Sequence, residues 1–330
     1  MQHFRSSMAI AVIGLVLGFY IGGFEALYIV ALLAVLEVSL SFDNAVVNVK
    51  VLETMEVKWQ KRFITFGIPI AVFGMRFLFP IFIVAIASGL SLFDTFNLAL
   101  NEPMSYKETL HSVEELIFAF GGSFLLMVFL NFIFDKDREE KWIEIIENSK
   151  LIDRMGELSS IQMIIATIVG LTLIFATKNY EIALAYFTGV LLYSIIASLD
   201  DLLGMNGVRN GIMGFLYLEV LDASFSFDGV IGAFALSSDI FIIMIGLGIG
   251  AMFVRALTLF MLEKKTLSEY RYLEHGAHYA ILALAIIMLV KIFTPINEIV
   301  VGTVGVTFIL IATYHSIKVN KRVKALAEVE

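Results

Sequence analysis

The chain contains no cysteine, which excludes disulfide bonds, thiolate metal sites and cysteine nucleophiles. It also has no excess of basic residues, because its formal net charge at pH 7 is −8, and this argues against a nucleic acid partner. Charged residues make up only 16% of the chain and hydrophobic residues 59%, with a mean hydropathy of +0.89. A soluble domain needs many more polar residues to cover its surface. The composition therefore indicates an integral membrane protein whose main partner is the lipid bilayer.

Long apolar runs, separated by charged or turn-forming residues, divide the chain into ten predicted membrane spans. A transmembrane helix needs about 20 mostly apolar residues, and the runs approach or reach that length. The predicted spans are 8–23, 25–50, 63–89, 111–134, 160–177, 181–199, 211–236, 239–262, 273–293 and 296–317. The first run lacks a convincing signal-peptide cleavage site, so we expect it to be retained. The predicted fold is an all-α polytopic membrane protein with one membrane domain over residues 1–330.

The segments between the spans predict an orientation in the membrane. Residues 135–158 alternate charged and apolar side chains, which predicts an amphipathic linker helix on the membrane surface. The basic residues outside the predicted spans lie almost entirely in every second segment, beginning with the N-terminal one. Lys107 and Lys178 are the two exceptions. The positive-inside rule then places both termini and the 135–158 linker in the cytoplasm, in a multi-pass protein of the plasma (inner) membrane. The segment 90–110 is expected to be a sizeable external loop.

The sequence repeats itself 185 residues further on, because residues 36–44 (LEVSLSFDN) match residues 221–229 (LDASFSFDG). Acidic residues recur at the same two positions of both segments, and an arginine follows each segment in a later span. The two segments fall on the second and seventh predicted spans, which cross the membrane in opposite directions. This predicts a first repeat at 25–134 and a second, inverted repeat at 211–293. Inverted repeats are typical of secondary transporters, whose substrate site lies near the midplane between the repeats.

Four acidic residues lie near the middle of their predicted spans: Glu37, Asp43, Asp222 and Asp228. Each charge at the bilayer centre costs at least about 2.5–3.5 kcal/mol, so a bound cation, protonation or a basic partner must offset it. The basic candidates are Arg76, Arg255 and Lys291, for which we predict ion-pair or gating roles. Nearby oxygen donors include the amides of Asn44 and Asn48 and the hydroxyls of Ser41 and Ser226. A donor set made of oxygen suits hard divalent cations such as Mn²⁺ and Ca²⁺.

The paired motifs Ser41-Phe42-Asp43-Asn44-Ala45 and Ser226-Phe227-Asp228-Gly229-Val230, each followed by an intramembrane arginine, resemble the TerC family of membrane proteins. The resemblance covers residues 28–293 approximately. That family is associated with tellurite resistance and, in several members, with manganese export. The resemblance implies that Glu37, Asp43, Asn44, Asp222 and Asp228 form a metal site. Gly229 replaces Asn44 in the second motif, so that half offers one side-chain ligand fewer, and the 90–110 and 135–158 segments indicate a divergent branch.

Three functional hypotheses follow from these patterns. The leading one is a secondary transporter that exports divalent metal cations, with Mn²⁺ favoured as substrate and proton exchange as a candidate coupling. It requires no enzyme activity and no tightly bound cofactor, since the metal ion is the substrate. An intramembrane aspartyl protease is disfavoured, because it needs a Gly-x-Gly-Asp element and the second aspartate here follows Ser226-Phe227. The third is a non-transporting scaffold in the response to metal or tellurite stress, with 135–158 as a docking segment.

The transporter hypothesis predicts that the second and seventh spans cross near the midplane. Asp43 and Asp228 should then lie close to a pseudo-two-fold axis, with Glu37 and Asp222 nearby. The sequence leaves open the metal, the direction of transport, the coupling ion and the oligomeric state. It also leaves open whether either span is broken at its Ser-Phe-Asp motif.

Overall fold

A computed structural model describes residues 2–135, 138, 140–147, 149–158, 160–202, 211–237 and 239–327 of the chain. These residues form α-helices and one π-helical segment, and no strand occurs among them. The first half contains α1 (Gln2–Leu40), α2 (Phe42–Thr54), α3 (Val57–Pro69), the π-helical segment (Ile70–Leu78), α4 (Phe79–Ser88), α5 (Leu92–Asn101), α6 (Pro103–Ile133), α7 (Glu144–Glu147) and α8 (Lys150–Gly156). The second half contains α9 (Ile161–Thr177), α10 (Tyr180–Leu202), α11 (Gly211–Leu236), α12 (Ile240–Glu263), α13 (Thr266–Glu269), α14 (Leu273–Lys291) and α15 (Glu298–Ala327).

Within these described ranges, six helices are long and apolar enough to cross a bilayer, or seven if the bent pair 73–88 and 92–101 counts as one span. They are α1, α6, α10, α12, α14 and α15. α9 is apolar but has only 17 residues, and the 26-residue α11 is interrupted by three acidic residues. The protein is therefore an all-α polytopic membrane protein, as predicted. The predicted count of ten spans is not confirmed by helix length and composition.

The first helix folds back on itself at Gly22–Gly23, whose φ/ψ angles of −140°/21° and 68°/−151° are not helical. The second glycine has a positive φ, which residues with a Cβ atom rarely adopt. On a continuous helix, Gly18 and Val30 would be roughly 18 Å apart. A Cβ atom built on Gly18 would instead lie 2.9 Å from Val30 Cγ2. The first arm of α1 (residues 2–22) and its second arm (residues 24–40) thus form an antiparallel hairpin.

The second arm of α1 runs parallel to α12 and packs closely on it. Leu33 lies against Gly246, and one helical turn further along both helices Glu37 lies against Gly250. An added Cβ atom on Gly250 would be 2.4 Å from Glu37 Cβ, so glycine is what permits this approach. α11 and α12 are antiparallel, because a short connection joins them and the first half of α11 shares a cavity with the second half of α12. The second arm of α1 and α11, which carry the equivalent acids Glu37 and Asp222, therefore run in opposite directions.

The helix bearing the first motif is distorted at Ser41, whereas α11 is helical throughout the second motif. Ser41 has φ/ψ angles of −107°/14°, and it separates α1 from α2. Backbone hydrogen bonds from Ser41 N to Glu37 O at 3.0 Å and from Ala45 N to Ser41 O at 3.2 Å continue across the distortion. The chain is therefore bent rather than fully broken at the first motif, and the two motifs differ in local geometry.

The third predicted span is composed of α3, the π-helical segment and α4. π-Helical turns are rare and often occur at functional sites, and here the segment carries Arg76. α4 ends at Ser88 and is followed by Gly89, whose φ is 71°, and α5 then bends away by 120°. The buried α6 packs against α4, α5, α10 and α14 and lies at the centre of the bundle.

Two interhelical segments differ from the sequence predictions. The expected loop at 90–110 is wrong, since α5 and the beginning of α6 occupy it; Ser91 Oγ caps α5 by accepting from Asp94 N at 3.1 Å. In 135–158 the described residues form the two short helices α7 and α8 instead of one amphipathic helix. Glu147 is fully buried there, 3.1 Å from Arg138 Nη2, and accepts a hydrogen bond from Tyr279 at 3.1 Å. This buried carboxylate attaches the segment to α14, which a purely interfacial helix would not require.

Candidate functional site

Arg76 joins two carboxylates that belong to the two copies of the repeat. Its Nη2 atom donates to Glu37 Oε1 at 2.5 Å, and its Nη1 atom donates to Asp222 Oδ2 at 2.8 Å. The side chains of Arg76 and Glu37 are 2% and 1% exposed, and that of Asp222 is 14% exposed. Glu37 and Asp222 occupy equivalent positions in the repeated sequence. The fold thus brings the repeat-related acids from two antiparallel helices to a single guanidinium.

Two neutral donors from the first motif complete this arrangement. Asn44 Nδ2 donates to Asp222 Oδ1 at 2.7 Å, and Ser41 Oγ donates to Glu37 Oε1 at 2.9 Å. Each carboxylate therefore receives one charged and one neutral hydrogen bond, as buried charges in a membrane require. We call Glu37, Ser41, Asn44, Arg76 and Asp222 the Arg76 cluster.

A small polar cavity of about 30 Å³ adjoins the Arg76 cluster and is lined in part by Arg76 and Asp222. This volume has room for one or two water molecules or a single ion. Glu219, Arg255 and Asn48 also line it. Buried atoms of all three (Glu219 Oε1, Asn48 Oδ1, and Arg255 Nε and Nη2) have no hydrogen-bond partner within the described part of the chain. The cavity therefore collects donors and acceptors that are not paired with one another.

Two glycines allow charged side chains to approach the backbone closely. A Cβ atom on Gly67 would be 2.3 Å from Arg255 Nη1, so the guanidinium lies directly on bare backbone, with its Cζ atom 4.7 Å from the centroid of the Phe63 ring. A Cβ atom on Gly229 would be 3.0 Å from Glu37 Oε2. The replacement of an asparagine by glycine in the second motif thus makes room for the carboxylate of the first repeat.

The remaining predicted site residues lie elsewhere or outside the described side chains. Asp43 is 3% exposed, and its Oδ1 atom accepts a hydrogen bond from Asn44 N at 3.0 Å. It lines a separate cavity with Leu284 of α14 and Gly305 of α15. The backbone of Asp228 belongs to α11, but its side chain lies outside the described part of the structure. The predicted meeting of the two aspartates near a pseudo-two-fold axis therefore stays a prediction.

Lys291 lies at the end of α14, where it is 9% exposed. Its Nζ atom is 5.2 Å from the centroid of the Phe118 ring, a distance at which a cation is attracted to the face of an aromatic ring. Among the predicted basic residues, Arg76 contacts an acid of each repeat directly, Glu37 and Asp222.

The Arg76 cluster has an excess of negative charge when both acids are ionised, because two carboxylates share one guanidinium. No group of three or more His, Cys, Asp or Glu side chains suited to a metal ion occurs among the described residues. Arg76 occupies oxygens that a cation would use in Glu37 and Asp222. A metal ion would therefore bind these oxygens by displacing the Arg76 guanidinium, because the two carboxylates are not free.

Glu219 is the site residue that sequence reasoning missed. It has no acidic counterpart in the first repeat, where the equivalent position is Ala34. A comparison of the two repeats therefore does not reveal it. The available signal was its position three residues before Asp222, which places both carboxylates on one face of a helix.

Comparison with known proteins identifies a family but no individual relative. A family model described as "Protein of unknown function (DUF475)" matches residues 42–323. No curated protein and no solved structure matches the chain.

Proposed function

The chain belongs to the DUF475 family, and from the geometry of the Arg76 cluster we propose that it is a secondary transporter for divalent metal cations. The convergence of Glu37 and Asp222 on Arg76 is the observation that carries this proposal. A charged triad inside a membrane is costly and is typical of ion or proton pathways. The resemblance of the paired motifs to the TerC family favours Mn²⁺ as substrate and export as direction. No catalytic residue is part of the proposal.

Arg76 acts in this proposal as an internal substitute for the transported ion. It offsets one of the two negative charges of Glu37 and Asp222 when no metal is bound. A divalent cation replaces it by supplying two positive charges to the same oxygens. The displaced guanidinium of Arg76 would move into the small polar cavity, which Arg76 already lines together with Glu219. Glu219 becomes its new partner, and Asn44 keeps an amide group at the metal site.

The exchange of positive groups also suggests how transport could be coupled to protons. A carboxyl group that is protonated in the absence of metal must lose its proton when it becomes a metal ligand or the partner of the displaced arginine. Glu219 and Asp43 are buried acids close to, but not part of, the Arg76 cluster. Proton exchange is therefore the coupling that we propose.

A flux measurement in proteoliposomes tests the function directly. An imposed proton gradient should drive Mn²⁺ across the membrane through the purified protein, in the direction opposite to the proton flow. Asp222→Asn should reduce the rate by at least about tenfold, since one charge-assisted ligand is lost. Glu181→Gln is the matched control, because Glu181 is an acid at the beginning of α10, away from the Arg76 cluster. No flux from the unmodified protein, or full flux from Asp222→Asn, would reject the proposal.

A non-transporting membrane scaffold is the alternative, and one observation favours it. Both acids are already paired with Arg76, as in a structural ion-pair network. A scaffold predicts a stable protein without metal flux, so the same proteoliposome measurement distinguishes the two functions.

A further inference from the structure

A large apolar chamber lies beside the Arg76 cluster, between α4, α6, α10 and α11. Its volume is about 710 Å³, within the range of sites that bind drug-sized molecules. Along α10 it extends from Glu181 to Leu192, which is roughly 16 Å of helix. Phe82, Ile86 and Leu184 line it and are also strongly exposed. Since exposed apolar side chains of a membrane protein face lipid, the chamber opens sideways into the bilayer.

Glu219 is the polar group at the inner wall of this chamber. It is only 8% exposed, and its Oε1 atom has no hydrogen-bond partner within the described ranges. The same side chain lines the small polar cavity next to Arg255. Glu219 therefore separates an apolar compartment, open to lipid, from the charged interior. A carboxyl group of this kind is costly to bury, and the lining apolar residues offer it nothing to bind.

We propose that this chamber is a binding site for lipophilic amines. The apolar body of such a ligand would fill the chamber, and a single cationic head that donates hydrogen bonds would meet Glu219. The acid disfavours fatty acids and other anionic amphiphiles, because two carboxylates would then face each other in a low-dielectric site. A phospholipid could insert an acyl chain, but its large polar head would have to stay at the membrane surface.

This ligand site goes beyond the transport of metal ions and does not depend on it. It is also placed to influence the charged interior, because Glu219 lines the small polar cavity together with Arg255 and Arg76. The binding itself can be measured without any ion flux. A failure of the transport proposal would therefore leave the amine site standing, and the reverse also holds.

Photolabelling of the full-length protein in nanodiscs of zwitterionic lipid tests the proposal. The probes are a dodecylamine that carries a diazirine on its chain and the matching neutral alcohol, and the labelled peptides are mapped by mass spectrometry. The amine should label peptides of α4 and α10 about ten times more efficiently than the alcohol, because a hydrogen bond between charged groups adds affinity. Glu219→Gln should abolish this preference and leave labelling by the alcohol unchanged.

Two control variants separate the head group from the chamber. Glu108→Gln removes an exposed acid of α6 that does not line the chamber and should keep the preference for the amine. Ala185→Phe fills the chamber and should reduce labelling by both probes, since Ala185 lines it without contacting the charged interior. Equal labelling of the unmodified protein by amine and alcohol would overturn the proposal even if no variant folded, as it would mean that acyl chains fill the chamber. A preference that survives Glu219→Gln would overturn it as well.

Discussion

We expect Arg76 to contribute more to the stability of the Arg76 cluster than either acid that it contacts. Removal of Glu37 leaves the guanidinium with Asp222, and removal of Asp222 leaves it with Glu37. Removal of Arg76 leaves two carboxylates close together with only the neutral donors Ser41 and Asn44. Since an uncompensated buried charge is strongly destabilising, the three substitutions should not be equivalent.

Arg76→Gln should lower the free energy of unfolding by about 3–5 kcal/mol, the usual cost of breaking a buried ion pair. The double variant Arg76→Gln/Glu37→Gln should recover part of this loss, because it also removes one of the two uncompensated charges. Unfolding of the purified protein in detergent measures both effects. A double variant less stable than Arg76→Gln alone would contradict the assignment of the loss to like charges.

Arg76→Gln should also change the response to divalent cations. With the guanidinium absent, Mn²⁺ should raise the unfolding temperature of the variant more than that of the unmodified protein, since binding to the folded state stabilises it. Arg76→Gln/Asp222→Asn is the control and should lose the extra shift. An equal shift in all three proteins would show that the ion binds away from these residues.

At the residue level, the sequence predicts a site residue when the free-energy cost of placing its charge in the membrane is enough to identify it. Glu37 and Asp222 stand out because a charge within an apolar run must be offset, and the structure brings both into contact with a basic residue. The pairing itself depends on the packing of helices far apart in the chain, so no local pattern contains it. The position of Asp43 in a separate cavity has the same origin, because a small distortion at Ser41 decides which way α2 faces.

At the level of whole elements, the reversal at Gly22–Gly23 turns one long helix into a hairpin that packs on α12. Its boundary could be predicted, since the predicted span 8–23 ends at these two glycines and the next begins at residue 25. The π-helical segment and the distortion at Ser41 could not be predicted from the sequence, because each depends on a choice between backbone hydrogen bonds of nearly equal energy. The helical character of 90–110 was missed although Ser91 and Pro103 are ordinary helix-start signals.

Gly23→Ala should destabilise the protein by about 1–3 kcal/mol, because its φ of 68° and ψ of −151° belong to a region that is open almost only to glycine. No side chain crowds this position, so any loss reports backbone strain alone. Gly89→Asn is the matched control: Gly89 has a φ of 71° and a ψ of 12°, a left-handed conformation that asparagine tolerates. Thermal unfolding should show a clear loss for the first variant and little change for the second.

At the level of the whole molecule, the two acid-bearing helices run in opposite directions and meet at one arginine. This relation follows from the packing of Leu33 and Glu37 against α12, and the short connection between α11 and α12. It agrees with the opposite directions inferred from span counting, although the boundaries 25–134 and 211–293 and the cytoplasmic position of both termini stay predictions.

Reporter fusions test the predicted orientation. A reporter after Glu330 and one within 135–158 should be cytoplasmic, and one near Asn101 should be external. The reason is that the basic residues outside the spans lie mainly in the alternate segments that include both termini and 135–158. The measurement is the activity of a reporter that works on only one side of the membrane. An external C-terminus would contradict both the predicted count of ten spans and the predicted topology.

Gly229 and Asn44 occupy the same position in the two repeats, yet each serves the acid of the opposite half. Asn44 donates to Asp222, whereas the bare backbone at Gly229 admits Glu37. The two halves therefore have different contacts at this position, and one half cannot replace the other. A chain with two first halves would have an amide where a carboxylate needs room, and a chain with two second halves would have no amide to offer. The two halves therefore depend on each other at this position, with the amide required in the first half and the glycine in the second.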